Sequence, residues 1–485
     1  MTADGLASSV ADQKRVHETA LRILSELGIW TDHDGMRKLL AERGCRLHNQ
    51  RVLIPPQLVR RTISDIPSSF FLYGRSPSDR VLIGDPEHVW CTNTGMFTNI
   101  YDLDSGVIRS TTLADVQQVT RILDALDNLH LVYVSLVEAT DLAPHLVRLG
   151  SFAATLANTT KPLIGPGLGN RAEAEAVVSM ARALRNDDEA ELRRYPVCTP
   201  SICPVSPLRF PRDIVEALIV IARSGLPLRI GTNPIMGISA PYTLAGTVAL
   251  GHAEVLASMM MAQTVCPGLP MLVQNSPSVA DMRTLASTTG GPETGLMRRL
   301  AVELCHYLNL PGIAHGHTSS TRLDHQAADE KALNALLIAS ARPAVLGGCG
   351  GLANVTLTSY ESILLDDERF GAILRILDGI TADDDHLAFE VIAHLTAGRM
   401  ALTEDHTLRH LRSGEVWEPR LARRAGLALG RPAPQISLDR AHAEVVRILT
   451  THQVQPLPTG VEEQIRKILR AHDVACSRDE VASPS

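Results

Sequence analysis

"LPLRIGTNPIMGISAPYTLAGTVALGHAEVLASMMMAQTVCPGLPMLVQNSPS", Leu226 to Ser278, holds the pattern that decides the fold. A short apolar run ends in Gly, Thr, Asn and Pro. A long helical run follows, and a second apolar run, "PMLVQNSPS", ends in Asn, Ser and Pro. Strand, helix and strand in this order make a parallel unit. The helical run is the most apolar part of the chain, but His252 and Glu254 interrupt it. It reads as a helix buried in a core rather than a membrane span.

The same unit recurs on both sides. The other apolar runs are "LHLVYVSLVEA", "KPLIGPGL", "YPVCTPSICPV", "PGIAHGHTSS" and "PAVLGGCGGL", with helical stretches such as "AEAEAVVSMARAL" and "PRDIVEALIVIARSG" between them. Seven such units predict a (β/α)8 TIM barrel over residues 129–380. The eighth strand lies either near "GITADDD" or in a segment borrowed from earlier in the chain. A doubly wound sheet is the alternative. It loses weight because no G-x-G-x-x-G follows the first strand.

Residues 1–128 read as a helical and β-rich cap. "KRVHETALRILSELGI" is a helix stopped by Gly28, and "FFLYGRSPSDRVLI" opens an aromatic β-rich stretch. In a chain only 4% aromatic, this clustering suits a hairpin packed on the core. Residues 381–485 read as a helical extension packed on the barrel, ending in the amphipathic "GVEEQIRKILRAHD".

The net charge of -7, with no Lys/Arg run, argues against a nucleic-acid surface. The N-terminus lacks the charged and apolar regions of a signal peptide. The 8 cysteines are scattered without a C-x-x-C pair, which suits reduced thiols in the cytoplasm. A barrel of this size is expected to form a homo-oligomer.

A barrel carries its chemistry at the C-terminal ends of its strands. Those ends offer Glu138, Asn233, Gln274, Asn275, His315, His317 and Ser320. His315 and His317 point the same way on a strand, so a metal is one reading. Zinc needs a third ligand, for which Cys349 or Glu138 would have to serve. A hydrogen-bonding or packing role is preferred, and no metal is expected. Gly348, Gly350 and Gly351, within "GGCGG", either cradle a cofactor or turn a tight corner.

Several blocks in order resemble the trimethylamine methyltransferase family. They are "GISAPYTLAGTVALGHAEVLASMMMAQTVCPGLPML", "DMRTLASTTGGPETGLMRRLAVELCHYLNLP", "LDHQAADEKALNALLIA", "SYESILLDDE" and "LTEDHTLRHLRSGEVWEPRL". "HETALRILSELGI" and "VLIPPQLV" extend the resemblance towards the N-terminus. It implies a (β/α)8 barrel that passes a methyl group from a methylated amine to the cob(I)alamin of a separate corrinoid protein. The chain has no D-x-H-x-x-G corrinoid motif. The nearest stretch, "DDHLAF", ends in Phe389. The cobalamin would therefore come from a partner.

The founding member of that family carries pyrrolysine where this chain has Thr321, beside Arg322. Neither residue forms the imine adduct, which points to the pyrrolysine-lacking branch and to a quaternary, betaine-like amine. Such a substrate asks for an aromatic face or a carboxylate for its cationic head, with Phe97, Tyr101 and Glu138 as candidates. It asks for donors to a carboxylate tail, with His315, His317, Ser320, Thr321, Arg322, Asn233 and Asn275 as candidates. No single catalytic residue emerges. The alternatives are another methyl acceptor such as tetrahydrofolate, a metal-dependent barrel enzyme, and a non-catalytic betaine-binding paralogue.

Overall fold

The computed structural model describes residues 6–103, 105–134, 136–424 and 436–482. Part of the C-terminal extension, 425–435, therefore lies outside the described residues, as do 483–485.

The chain is an α/β protein built on eight parallel strands: β1 (Trp90–Asn93), β2 (Val132–Tyr133), β3 (Leu163–Gly167), β4 (Cys198–Ile202), β5 (Leu228–Thr232), β6 (Met271–Asn275), β7 (Ile313–His315) and β8 (Val345–Cys349). β2 to β6 form one hydrogen-bonded sheet, and β7, β8 and β1 form another. The sheets meet at two parallel bridges. Val273 of β6 faces Gly312, just before β7, and Thr92 of β1 faces Leu131, just before β2. Pairing therefore runs in cyclic order through all eight strands.

The eighth strand is the borrowed one. Trp90–Asn93 pairs with β8 in register Val345 to Trp90 and Leu346 to Cys91. The parallel strands thus begin at residue 90, ahead of the 129 boundary read from sequence. "GITADDD" contributes no strand; it leads into the short helix Asp384–Leu387.

Every strand is followed by a helix on the outer face. The longest, Leu244–Val265, follows β5. Its apolar window is long enough to span a bilayer, and 83% of that window is buried inside the protein. Glu254 in its middle is fully buried, where its carboxylate accepts from Ser206 Oγ at 2.8 Å and the Leu208 N–H at 2.9 Å. Burial pushes that carboxyl up to about 7.

Side chains alternate across each strand. Leu228 and Ile230 join the large core beneath the helices. Leu272, Ile313 and Val345 instead gather in a separate cluster with Phe70, Leu72, Val81 and Ile83. That cluster joins the inner face of the strands to the antiparallel hairpin Phe70–Tyr73 and Arg80–Ile83. The hairpin packs its apolar residues against their N-terminal ends. The opposite, C-terminal ends remain open.

At the far end of the chain, helix Ser437–Thr451 buries Ala441, Val445 and Ile448 against the helix after β8. Helix Val461–Ala482 packs on the helix after β3.

Candidate active site

A cavity of about 570 Å³ lies at the C-terminal ends of the strands, lined by residues from all of β2 to β7 and the loops above them. On β5 the inward face carries Arg229 and Gly231, because Leu228 and Ile230 turn outward. The same alternation brings Tyr133, Ser201, Gln274 and His315 inward.

Arg229 organises this layer. Its guanidinium donates to Gln274 Oε1, to Tyr133 Oη at 2.5 Å and to Ser201 Oγ at 2.7 Å. It also lies over the Tyr133 ring, 4.8 Å from the centroid. Gln274 passes the chain on: its Nε2 donates to Ser276 Oγ at 2.8 Å and to His315 Nδ1 at 3.3 Å. With Nδ1 accepting, the neutral His315 ring carries its proton on Nε2. That Nε2 and Arg229 Nε are buried and have no hydrogen-bond partner among the described residues.

Arg298, on helix Pro292–Tyr307, is the second buried guanidinium. One nitrogen donates to the His315 carbonyl at 2.6 Å and to His317 Nδ1 at 3.1 Å. His317 Nε2 then donates to Thr94 Oγ1 at 3.2 Å. The His315 and His317 rings stack, 5.6 Å apart and 16° from parallel. Burial, reinforced by Arg298, holds both imidazoles well below the usual histidine range, so both are neutral. Burial also lowers Arg298 to about 10. Among the described residues, neither Arg229 nor Arg298 forms an ion pair. No Asp or Glu among the described residues lines the cavity. Arg148, a third lining guanidinium, is neutralised by Glu173 at 2.6 Å.

The residues singled out from sequence fall in several places. His315, His317 and Asn233 line the cavity, with Asn233 Nδ2 3.3 Å from Cys203 Sγ. Asn275 faces the other way: it accepts from Thr232 Oγ1 and donates to the Val248 carbonyl, tying β5 and β6 to their helix. Ser320 is spent on the Asp324 carboxylate at 2.9 Å, at the start of helix His325–Ala339. Thr321 and Arg322 are exposed on that loop and do not line the cavity. Phe97 is a fully buried core residue. Tyr101 borders a separate hollow with Arg109 and Tyr360. Glu138 also stands outside the lining, and burial raises its carboxyl. Among the described residues, Tyr133 is the one Phe, Tyr or Trp in the lining, and Arg229 already covers that ring.

Gly348, Gly350 and Gly351 stand in close quarters. A Cβ on Gly348 would strike the Gly316 carbonyl, and one on Gly351 would press on Thr94 and Phe97. The Gly350 N–H already donates to Asp366 Oδ2 at 2.8 Å. These glycines let the strand ends and loops pack closely. Among the described residues, no third metal ligand joins His315 and His317. Cys349 Sγ points to the Ile363 carbonyl at 3.4 Å, and both nitrogens of His317 are engaged.

Sequence reading missed Arg229 and Arg298. The first had a signal, a lone Arg inside an apolar strand. The second had none, since Arg298 and Arg299 are adjacent and only the fold decides which pairs with Glu303.

A family model described as trimethylamine methyltransferase matches residues 7–474. A trimethylamine methyltransferase of Desulfitobacterium hafniense is 30% identical over 459 residues, covering 94% of this chain and 91% of that protein. A glycine betaine methyltransferase from another strain of that species is 27% identical, covering 94% of each. Among solved structures, the monomethylamine methyltransferase of Methanosarcina barkeri superposes with a TM-score of 0.51 at 13% identity, over 95% of this chain and 94% of that one. A hydroxylamine complex of the same kind of protein reaches 0.55 at 11% identity, over 98% and 88%.

Proposed function

The chain is a methyltransferase and belongs to the trimethylamine methyltransferase family, and we propose that its methyl donor is a betaine, a quaternary ammonium group joined to a carboxylate. The observation that carries this reading is the charge of the cavity. Among the described residues, two buried guanidiniums face it without a counter-ion and no carboxylate lines it. A bare ammonium ion would meet only repulsion there. A carboxylate would meet the uncompensated guanidiniums of Arg229 and Arg298. The volume suits a small zwitterion.

A quaternary nitrogen needs no covalent activation, because it already leaves as a neutral tertiary amine. The lining, which contains no lysine, then acts by positioning: it anchors the acid end and directs the methylated end towards the open mouth. We read the cyclic strand order as a (β/α)8 barrel, whose mouth is where the acceptor approaches. The acceptor in this reading is the cobalt(I) of a corrinoid carried by a separate protein, a co-substrate rather than a resident group. One methyl passes to it, and the C–N electron pair stays on nitrogen.

The test is a demethylation assay with free cob(I)alamin, read by the methylcobalamin spectrum. Carboxylated quaternary amines are expected to react, and choline and trimethylamine are not. Equal turnover of trimethylamine, or silence from every betaine, would overturn the reading.

A further inference from the structure

The chain between residues 383 and 415 is built unlike the rest. It holds four short helices, Asp384–Leu387, Phe389–Thr396, Ala401–Thr403 and Asp405–Arg412, and none of their residues is buried. A segment of this size cannot hold its shape by a core of its own, and small units without a core rely on a staple.

The centre of the segment offers one. His406 and His410 stand one helical turn apart, with ring centroids 4.2 Å from each other, and His386 meets His410 at 4.9 Å. His386 Nδ1 is held by Asp383 Oδ1 at 2.6 Å, which leaves Nε2 free. That Nε2 lies 3.9 Å from Glu415 Oε2. The gap is too long for a hydrogen bond but close to the separation of two ligands on one ion, about 3.3–3.5 Å for tetrahedral zinc. His410 Nε2 likewise has Asp385 Oδ2 at 3.1 Å. His386 and His410 thus each have a carboxylate on one nitrogen, while His406 Nε2 meets the Asp385 carbonyl at 2.9 Å. This is the outer-shell pattern of metal-bound histidine.

Ligand atoms of His386, His410 and Glu415 lie within 4.8 Å of one another, and those of Asp385, His406 and His410 form a second, overlapping group. We propose that His386, His410 and Glu415 bind a divalent cation of the zinc class, which ties the helix Asp405–Arg412 to the turn at His386. Two imidazoles and one carboxylate favour zinc over magnesium or calcium, which prefer all-oxygen shells. Water takes the fourth position. The role is structural and is independent of the methyl-transfer reading.

The experiment uses the full chain, loaded with zinc, dialysed and measured by elemental analysis. One zinc per chain is expected. The double variant H386A/H410A should lose it, while a H315N/H317N variant should keep it. Cobalt(II) in place of zinc should give the intense visible bands of a four-coordinate site. Chelation should expose the bonds between residues 383 and 415 to limited proteolysis and zinc should restore protection, a readout that needs no variant. Absence of equimolar metal, or metal retained by H386A/H410A, would overturn the proposal.

Discussion

Arg298 donates from a single nitrogen to both the His315 carbonyl, at 2.6 Å, and His317 Nδ1, at 3.1 Å. One buried cation therefore sets the backbone at the end of β7 and the tautomer of the ring two residues on. Because an arginine has no acceptor, His317 Nδ1 must accept, and its proton sits on Nε2 facing Thr94.

Replacing Arg298 by Met should leave His317 Nδ1 and the His315 carbonyl without their donor. A cost of about 1–3 kcal/mol in stability is expected, with loss of ligand affinity. Arg298→Lys should rescue only part of it, because one ammonium lacks the fork that also reaches the Pro277 carbonyl. Thermal unfolding and isothermal titration with a betaine check both.

Arg229→Gln removes the charge but keeps a hydrogen-bonding group of fair length. Binding of carboxylated amines should weaken by about 1.5–3 kcal/mol, the worth of a charged hydrogen bond. Choline binding, if measurable, should strengthen or stay unchanged. A parallel loss for both ligands would show that Arg229 supports the cavity wall and does not meet the acid.

The acid response of His317 has a definite sign. Burial lowers its folded value well below 6.5, so below that pH the unfolded chain binds more protons than the folded one. Its contribution is intact above pH 6.5 and is lost as pH falls, by up to about 1.4 kcal/mol per unit. His252, lowered to about 3 by burial, adds a loss of the same sign. Glu254, raised to about 7, opposes them between its unfolded value of 4.5 and 7. His317→Asn should therefore show a shallower fall of Tm with acid than the parent. In the parent, nitrogen-15 spectra should report a neutral Nε2–H ring at pH 6.

Gly347→Ala tests the packing around His315. A Cβ there would overlap the His315 ring, and overpacking of this kind costs about 1–3 kcal/mol. The displaced ring should also lower betaine affinity, which titration would show. Thr321→Ala and Arg322→Ala form the contrasting pair. Both residues are exposed and outside the lining, so stability should move by no more than about 0.5 kcal/mol and binding should not change.

Much of this architecture is legible along the chain. The alternation of apolar runs and helices marks seven of the eight parallel strands, and their Gly, Pro and Asn ends mark where a cavity opens. His315, His317 and Asn233 follow from that rule alone. The family follows from blocks spread over the whole sequence. These features are local or ordered, so a linear reading captures them.

What only the tertiary structure decided is which residues meet. A period of two says that Arg229 and Leu228 face opposite ways, but not which way is inward; that depends on the helices packed outside. Trp90–Asn93 becomes a neighbour of β8 by a pairing across more than half of the chain, which no local pattern reveals. Arg298 and Arg299 carry the same charge in sequence. One is neutralised by Glu303, one turn along its helix, and the other is aimed into the cavity. Phe97 and Asn275 sit at strand ends as a substrate site would require, yet packing turns both into the core. Charge balance inside a cavity is a sum over side chains brought from many strands, and only the tertiary structure performs that sum.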